Sequence, residues 1–382
     1  MGAFRPADSL SVDIFCRVID NFGDIGVCWR LARQLSDTPA QRQVRLWVDD
    51  LQSFAKIEPA VSTDAQVQTV RGIELIHWTN TPPALTPHNI VIEAFACDPP
   101  PAFIARMVQQ KSLWINLEYL SAEAWVESCH AQPSLQSNGL RKSFFFPGFT
   151  PGTGGLLREH DLIARRDRWR KEPQQRWQLL GQLGVAPELI EGLQQGWQQV
   201  FLFCYPSAPA SALVQTLGRQ STPSVILLPK GVQPQLKHHA SADPLSQNVH
   251  IVEIPFVDQN TFDQLLWSSD LNFVRGEDSL VRALWAGRPL VWQIYEQNDQ
   301  AHLDKLSAWL DRSPFSNTIH KLMISWNTAD EPALGLQLQH ALQPATLNRW
   351  QADAAQWSQE LAARRSLVQS LLEFCAKNQR TG

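Results

Sequence analysis

The 382-residue sequence has no C-x-x-C pair, no basic stripe and no apolar run approaching ~18 residues. Each absence removes a class of protein. Six cysteines (Cys16, Cys28, Cys97, Cys129, Cys204, Cys375) are scattered, and three sit inside apolar runs. They read as reduced thiols of a cytosol-like compartment rather than as disulfides or a metal site. A net charge of −4 without clustered Lys and Arg gives nucleic acid little to bind, so no nucleic-acid partner is expected. Without a spanning run or a basic amphipathic face, no membrane association is expected either. Met1 to Val12 carries no apolar stretch of signal-peptide length, and Pro6 breaks the myristoylation pattern that Gly2 would open. No G-x-G-x-x-G fingerprint follows the first strand, and no His/Cys/Asp group has metal-ligand spacing.

What is present describes an ordinary globular chain, 44% hydrophobic and 18% charged, long enough for two domains. The fifteen Trp would suit flat ligands, though cores use Trp equally well. Strand signals at 12–19, 44–48, 73–78, 89–96 and 113–117 alternate with helical stretches, the first at 25–35. A Gly-, Pro- and Thr-rich stretch at 149–155 reads as a linker. A second alternating series follows, with strands at 200–205, 224–228, 250–254, 271–274 and 289–295. From Gln300 onward the pattern is mostly helical. Alternation predicts α/β domains with parallel sheets covered on both faces. The expected architecture is therefore two Rossmann-like domains facing a central cleft, with a helical C-terminal tail. Residues 1–155 form the first domain, 156–359 the second, and 360–382 a helix packing back on the first. A periplasmic-type binding protein or a two-domain epimerase would share that outline, because fold alone does not give function.

Two turns carry the chemistry. Leu271 to Val274 predicts a buried strand, and Leu280 to Gly287 a helix stopped by Gly287 and Pro289. Between them Arg275-Gly276-Glu277-Asp278-Ser279 is a strand-to-helix turn. Backbone N–H groups at a helix start suit an anion, and Arg275 adds a fork matched to phosphate oxygens. The plainer alternative is that Asp278 or Ser279 is only an N-cap. Asp20-Asn21-Phe22-Gly23-Asp24-Ile25-Gly26 occupies the first strand-to-helix turn. Its two carboxylates would repel a pyrophosphate but could hold a cation or take a proton. The alternative is again capping by Asp20 or Asp24, with Gly23 easing the turn. Phe203 and Tyr205 read as ending a strand, and Phe262 as beginning a helix just after Gln259. Phe203 and Phe262 are more often core than ligand contacts, and Tyr205 before Pro206 is the more exposed. Glu118 and Glu123 read as an acidic strand end and a helix first turn.

Six motifs in order, 19–27 (IDNFGDIGV), 93–98 (EAFACD), 118–123 (EYLSAE), 254–257 (IPFV), 275–279 (RGEDS) and 302–306 (HLDKL), span most of the chain. On them the sequence resembles the protein-arginine rhamnosyltransferases that modify bacterial elongation factor P. Stretches 161–198 and 229–248 lend no support. The resemblance implies a metal-independent, inverting GT-B enzyme with no cofactor. It would move L-rhamnose from dTDP-β-L-rhamnose to a guanidinium nitrogen of an arginine in elongation factor P, in the cytoplasm. It implies Asp24 as general base, Asp20 as its partner in orienting the arginine, and Glu277 as a further catalytic group. Glu118 joins Asp20 and Asp24 on the acceptor side. Arg275, Gly276, Asp278 and Ser279 would meet the diphosphate, and Phe203, Tyr205, Gln259 and Phe262 the nucleotide. Asn21, Phe22 and Gly23 complete the donor contacts. Competing readings are a nucleotide-sugar transferase acting on a small-molecule or lipid acceptor, and a nucleotide-sugar-binding module without turnover.

Overall fold

The computed structural model describes residues 11–20, 22–37, 42–238, 247–297 and 300–378. Asn21, expected at the donor, lies outside the described residues. The chain divides into two compact units, Met1–Glu159 with Arg364–Gly382, and His160–Ala363.

The first unit carries strands β1 (Val12–Cys16), β2 (Val44–Val48), β3 (Val67–Val70), β4 (Ile73–His77), β5 (Ile90–Ala94), β6 (Leu113–Leu117), β7 (Pro133–Leu135) and β8 (Arg141–Phe145). They lie in the order β3-β4-β2-β1-β5-β6-β8-β7. The six inner strands run parallel, and β3 and β7 pair antiparallel at the two edges. β1, β2 and β5 are buried along their whole length, which is why they read as continuous apolar runs rather than alternating ones. The helix Gly23–Ser36 buries Ile25, Cys28, Trp29, Leu31, Ala32 and Leu35 on one face of the sheet. Each large aliphatic side chain there contributes about 1.5–3 kcal/mol. Leu367, Val368, Leu371 and Cys375 of the last helix, Leu367–Asn378, join the same core. The other face is a second cluster around Phe15, Trp47, Phe103, Met107 and Trp114.

The second unit carries β9 (Gln198–Leu202), β10 (Ser224–Pro229), β11 (Val249–Ile254), β12 (Leu271–Arg275) and β13 (Leu290–Gln293). Their order is β11-β10-β9-β12-β13, all parallel. Helices Gln259–Ser268 and Gly276–Ala286 flank β12 in sequence, and a bidentate pair ties them together. Arg282 Nε donates to Asp263 Oδ1 at 2.9 Å and Nη2 to Oδ2 at 2.5 Å, with both side chains 1% exposed.

Three expectations shift in detail. The stretch 149–155 is packed inside the first unit: a Cβ on Gly155 would stand 2.5 Å from the Arg365 carbonyl, and Leu156 bridges to Ser366. Close packing, not flexibility, accounts for its glycines. Twelve of the fifteen Trp are buried, so they serve the cores. The division places helix Pro344–Ala362 in the second unit and the last helix in the first, with boundaries at 159/160 and 363/364 rather than the expected 155/156 and 359/360. Among the described residues no helix is long and apolar enough to cross a membrane.

Candidate active site

In each unit the chain leaves one strand toward one side of the sheet and its neighbour toward the other. β1 continues to β2 while the adjacent β5 continues to β6; likewise β9 leads to β10 and the adjacent β12 to β13. The crevice outside the carboxyl ends at such a reversal is where open α/β sheets bind ligands. The residues singled out from sequence fall after β1 and β6 in one unit, and after β9, β11 and β12 in the other.

In the first unit the turn after β1 does not cap its helix as either Asp predicts. Phe22 is the N-cap and makes no side-chain capping bond. Asp24 sits in the first helical turn and reaches back, its Oδ2 accepting from the backbone N–H groups of Ile19 and Asp20, both at 2.8 Å. Its Oδ1 lies 3.4 Å from the Tyr119 hydroxyl, which donates to it. Asp24 is 2% exposed, and burial pushes its carboxyl above the ordinary carboxylate range despite the two backbone donors. The nearby Asp20 carboxylate pushes in the same direction. Asp20 is half-buried and therefore the more accessible of the pair. Gly23 packs against its neighbour: a Cβ there would stand 2.8 Å from Asp20 Oδ2 and push that carboxylate aside. A buried carboxyl with one oxygen anchored, beside an accessible one, is suited to holding a cation and accepting its proton. Glu118, after β6, takes a 2.6 Å hydrogen bond from Asn116 Nδ2 and is half-buried.

Sequence reasoning found the 93–98 motif without seeing its work. Glu93 is fully buried and accepts from Trp114 Nε1 at 2.9 Å and from Lys142 Nζ at 2.7 Å. Lys142 also reaches Asp98 at 3.1 Å. Burial raises the Glu93 carboxyl although Lys142 opposes it, while the two acids raise the Lys142 ammonium against its own burial. Desolvation thus dominates at the fully buried partner only. The three residues Phe95, Ala96 and Asp98 all have left-handed backbones, with φ of 59°, 55° and 29°. Such a run in non-glycine residues is strained and marks a loop held by its surroundings.

In the second unit β12 ends in Arg275, which is the N-cap of the helix Gly276–Ala286 and makes no side-chain capping bond. Neither Asp278 nor Ser279 is the cap. Ser279 Oγ instead donates to the Arg275 carbonyl, and Glu277 and Asp278 occupy the first turn. Gly276 turns at φ 63°, and Trp292 Nε1 holds its carbonyl at 2.8 Å. β9 stops at Leu202, three residues short of the predicted strand end at Tyr205, so Phe203 and Tyr205 lie in the loop beyond it. There the Arg275 guanidinium stacks 4.5 Å from the Phe203 ring centre and 4.8 Å from that of Tyr205. Its Nη1 donates to the Cys204 carbonyl at 3.2 Å. The fork is therefore positioned by two rings and a carbonyl rather than by a carboxylate, which leaves its positive charge for an anion.

Phe203 is buried in an aromatic cluster with Phe262 at 5.4 Å and Phe256 at 6.3 Å, and Phe262 is half-buried. The helix begins at Gln259, so Phe262 lies inside its first turn rather than at its start; Asp258 caps it through the N–H groups of Asn260 and Thr261. Tyr205 is half-buried and lines a pocket of about 530 Å³ together with Gln293, Tyr295, His302 and Asn327. Its backbone N–H is fixed by Gln293 Oε1 at 2.8 Å. Tyr295, His302 and Asn327 were not singled out as site residues; His302 appeared only as the start of a motif. Among the described residues no group of three His, Cys, Asp or Glu side chains is placed to hold a metal ion.

Residues 12–376 match the family described as Elongation-Factor P (EF-P) rhamnosyltransferase EarP. A protein-arginine rhamnosyltransferase of Pseudomonas aeruginosa is 41% identical over 385 residues, covering 96% of this chain and 99% of its own. A solved structure described as the basis for EarP-mediated arginine glycosylation of translation elongation factor EF-P is 33% identical. It covers 96% of this chain and 99% of its own, with a TM-score of 0.63. A UDP-GlcNAc 2-epimerase of Neisseria meningitidis, at 9% identity and a TM-score of 0.52 over 96% of this chain and 99% of its own, shares the fold alone. The architecture thus admits both transferase and epimerase, and the sequence match decides between them. The chain belongs to the EarP family of elongation factor P rhamnosyltransferases, glycosyltransferases of the GT-B fold.

Proposed function

We propose that this protein moves L-rhamnose from dTDP-β-L-rhamnose to a guanidinium nitrogen of an arginine in elongation factor P, with inversion at the anomeric carbon. The observation that carries the reading is the family match over nearly the whole chain, joined to an anchored, buried carboxyl and an accessible one at a sheet's reversal point. A guanidinium holds its proton to a pKa above ~12 and delocalises its lone pairs, so it attacks poorly unless it is held and deprotonated. Asp20 would hold the arginine, with Glu118 beside it. Asp24 would accept the proton as the nitrogen bonds to the anomeric carbon from the face opposite the leaving group. The bond from that carbon to the diphosphate oxygen breaks, dTDP departs with the electron pair, and the product is α-linked.

In the second unit Arg275 and the N–H groups at the start of the helix Gly276–Ala286 would take the diphosphate charge. Glu277 and Asp278 share that helix start, so the cationic fork must outweigh their repulsion. Glu277 would act as a further catalytic group near the sugar and diphosphate. Phe203, Tyr205, Gln259 and Phe262 would frame the nucleotide, with Phe203 doing so from within the core. Phe22 and Gly23 complete the donor contacts. No metal or cofactor enters this scheme. A translation factor as acceptor and six free cysteines support a cytoplasmic location.

Intact-mass spectrometry of elongation factor P incubated with the protein and dTDP-rhamnose tests the reading. The expected outcome is addition of one deoxyhexose on an arginine, undiminished in excess EDTA. An unmodified acceptor would refute the function. Transfer that stops with chelator and returns with Mg²⁺ would refute the metal-free mechanism and make Asp20 and Asp24 candidate ligands.

A further inference from the structure

Residues that follow three strands of the first unit form one chain of contacts ending at an Asp24 oxygen. Phe95, after β5, stacks on Tyr119, after β6, with ring centres 4.2 Å apart and planes 12° from parallel. Tyr119 in turn places its hydroxyl 3.4 Å from Oδ1 of Asp24, on the helix after β1. That oxygen is the one not anchored by Ile19 and Asp20. The seat beneath Tyr119 is fixed by the backbone. Phe95 N–H donates to the Leu117 carbonyl at 2.8 Å, and Ala96 N–H to Asn116 Oδ1 at 3.0 Å. Both residues are left-handed, a cost that persists only where the neighbours impose it. The Glu93–Lys142–Asp98 bonds pin the other end of the loop.

We propose that Tyr119, seated on Phe95, is a positioning residue that fixes Oδ1 of Asp24 in the orientation from which it accepts the acceptor's proton. The proposal rests on the reading of Asp24 as base. The 3.4 Å separation is longer than an O–H···O bond of normal strength, as is common before substrate binds. The groups that act on Asp24 are the backbone N–H groups of Asp20 and Ile19, the Asp20 carboxylate from the preceding loop, and the Tyr119 hydroxyl; Cys16 at the end of β1 and Cys28 one turn along its own helix face it and in turn feel its charge. Of these, Tyr119 alone offers a neutral hydroxyl donor to the unanchored oxygen among the described residues.

Tyr119→Phe keeps the stacked ring and deletes only the hydroxyl. With elongation factor P as acceptor, kcat is expected to fall about tenfold, with donor KM unchanged. The acid limb of the kcat/KM profile should move to higher pH, because a donor to the ionised carboxylate has gone. Phe95→Ala should act in the same direction with the hydroxyl intact. The double variant should be no slower than the worse single, as expected of two residues acting through one contact. A second readout needs no turnover: carbon-13 NMR titration of the Asp24 carboxyl, assigned by its loss in Asp24→Asn. Its titration midpoint should rise in Tyr119→Phe. If the midpoint and the rate profile of Tyr119→Phe both match the parent, the proposal is overturned. Absence of transfer by the parent protein would refute the proposed function instead, and the NMR midpoint would still decide whether Tyr119 acts on Asp24.

Discussion

Replacing Asp24 by Asn separates catalysis from stability at a single atom. The Asn carbonyl oxygen can take the place of Oδ2 and accept from the N–H groups of Ile19 and Asp20, now 2.8 Å away. Its amide nitrogen then stands where Oδ1 faces Tyr119. That position can no longer take up a proton, so the whole contribution of the base is lost, ~10²–10⁴-fold in kcat. Donor affinity should hold, because the diphosphate contacts proposed for Arg275 are untouched. Stability should move the other way. Burial raises the folded-state carboxyl above its ordinary 3.8. Between the unfolded and folded values the folded chain binds more protons, so stability falls as pH rises through that window and stays reduced at neutral pH. Neutral Asn removes that cost. At pH 7 the Tm of Asp24→Asn should exceed the parent's, and the gap should close as pH drops toward 4. Single-turnover transfer assays and calorimetry at the two pH values test both halves. Near-parental transfer would refute the base assignment. A lower Tm at pH 7 would show that the two charge-assisted backbone bonds outweigh the burial of the carboxylate.

Two further outcomes follow from the second unit. Arg275→Ala should weaken dTDP-rhamnose binding by about 1.5–3 kcal/mol, the worth of a charge-assisted hydrogen bond, and unchanged affinity by titration calorimetry would remove Arg275 from the diphosphate. Asp263→Ala leaves the Arg282 guanidinium buried without its carboxylate, at 1% exposure. It should cost about 3–5 kcal/mol in urea unfolding, whereas Asp263→Leu with Arg282→Met should recover most of the loss. A loss below ~1 kcal/mol for the single variant would mean that the pair contributes little to joining its two helices.

The sequence alone determined the α/β class, because parallel strands buried on both faces must read as apolar runs separated by amphipathic helices. It also determined the two turns at 20–26 and 275–279, where charged side chains interrupt a strand-to-helix pattern that burial elsewhere keeps apolar. The resemblance was legible because its motifs, five at strand ends and 302–306 in the helix Ala301–Arg312, keep their order along the chain. Roles inside the turns were decided only by tertiary structure. Asp20 and Asp24 look alike in sequence; folding buries one against two backbone N–H groups and leaves the other half-buried. Local patterns offered capping by Asp20 or Asp24, and by Asp278 or Ser279, as the plainer alternative, yet Phe22 and Arg275 hold the N-cap positions, since cap geometry depends on φ and ψ rather than on side-chain preference alone. Phe203 read as core and proved to be core, but nothing local signalled that Arg275, 72 positions on by 275 minus 203, lies over its ring. The meeting of Phe95, Tyr119 and Asp24 was likewise invisible, because it depends on β1, β5 and β6 lying side by side, and strand order is a property of the sheet rather than of any segment.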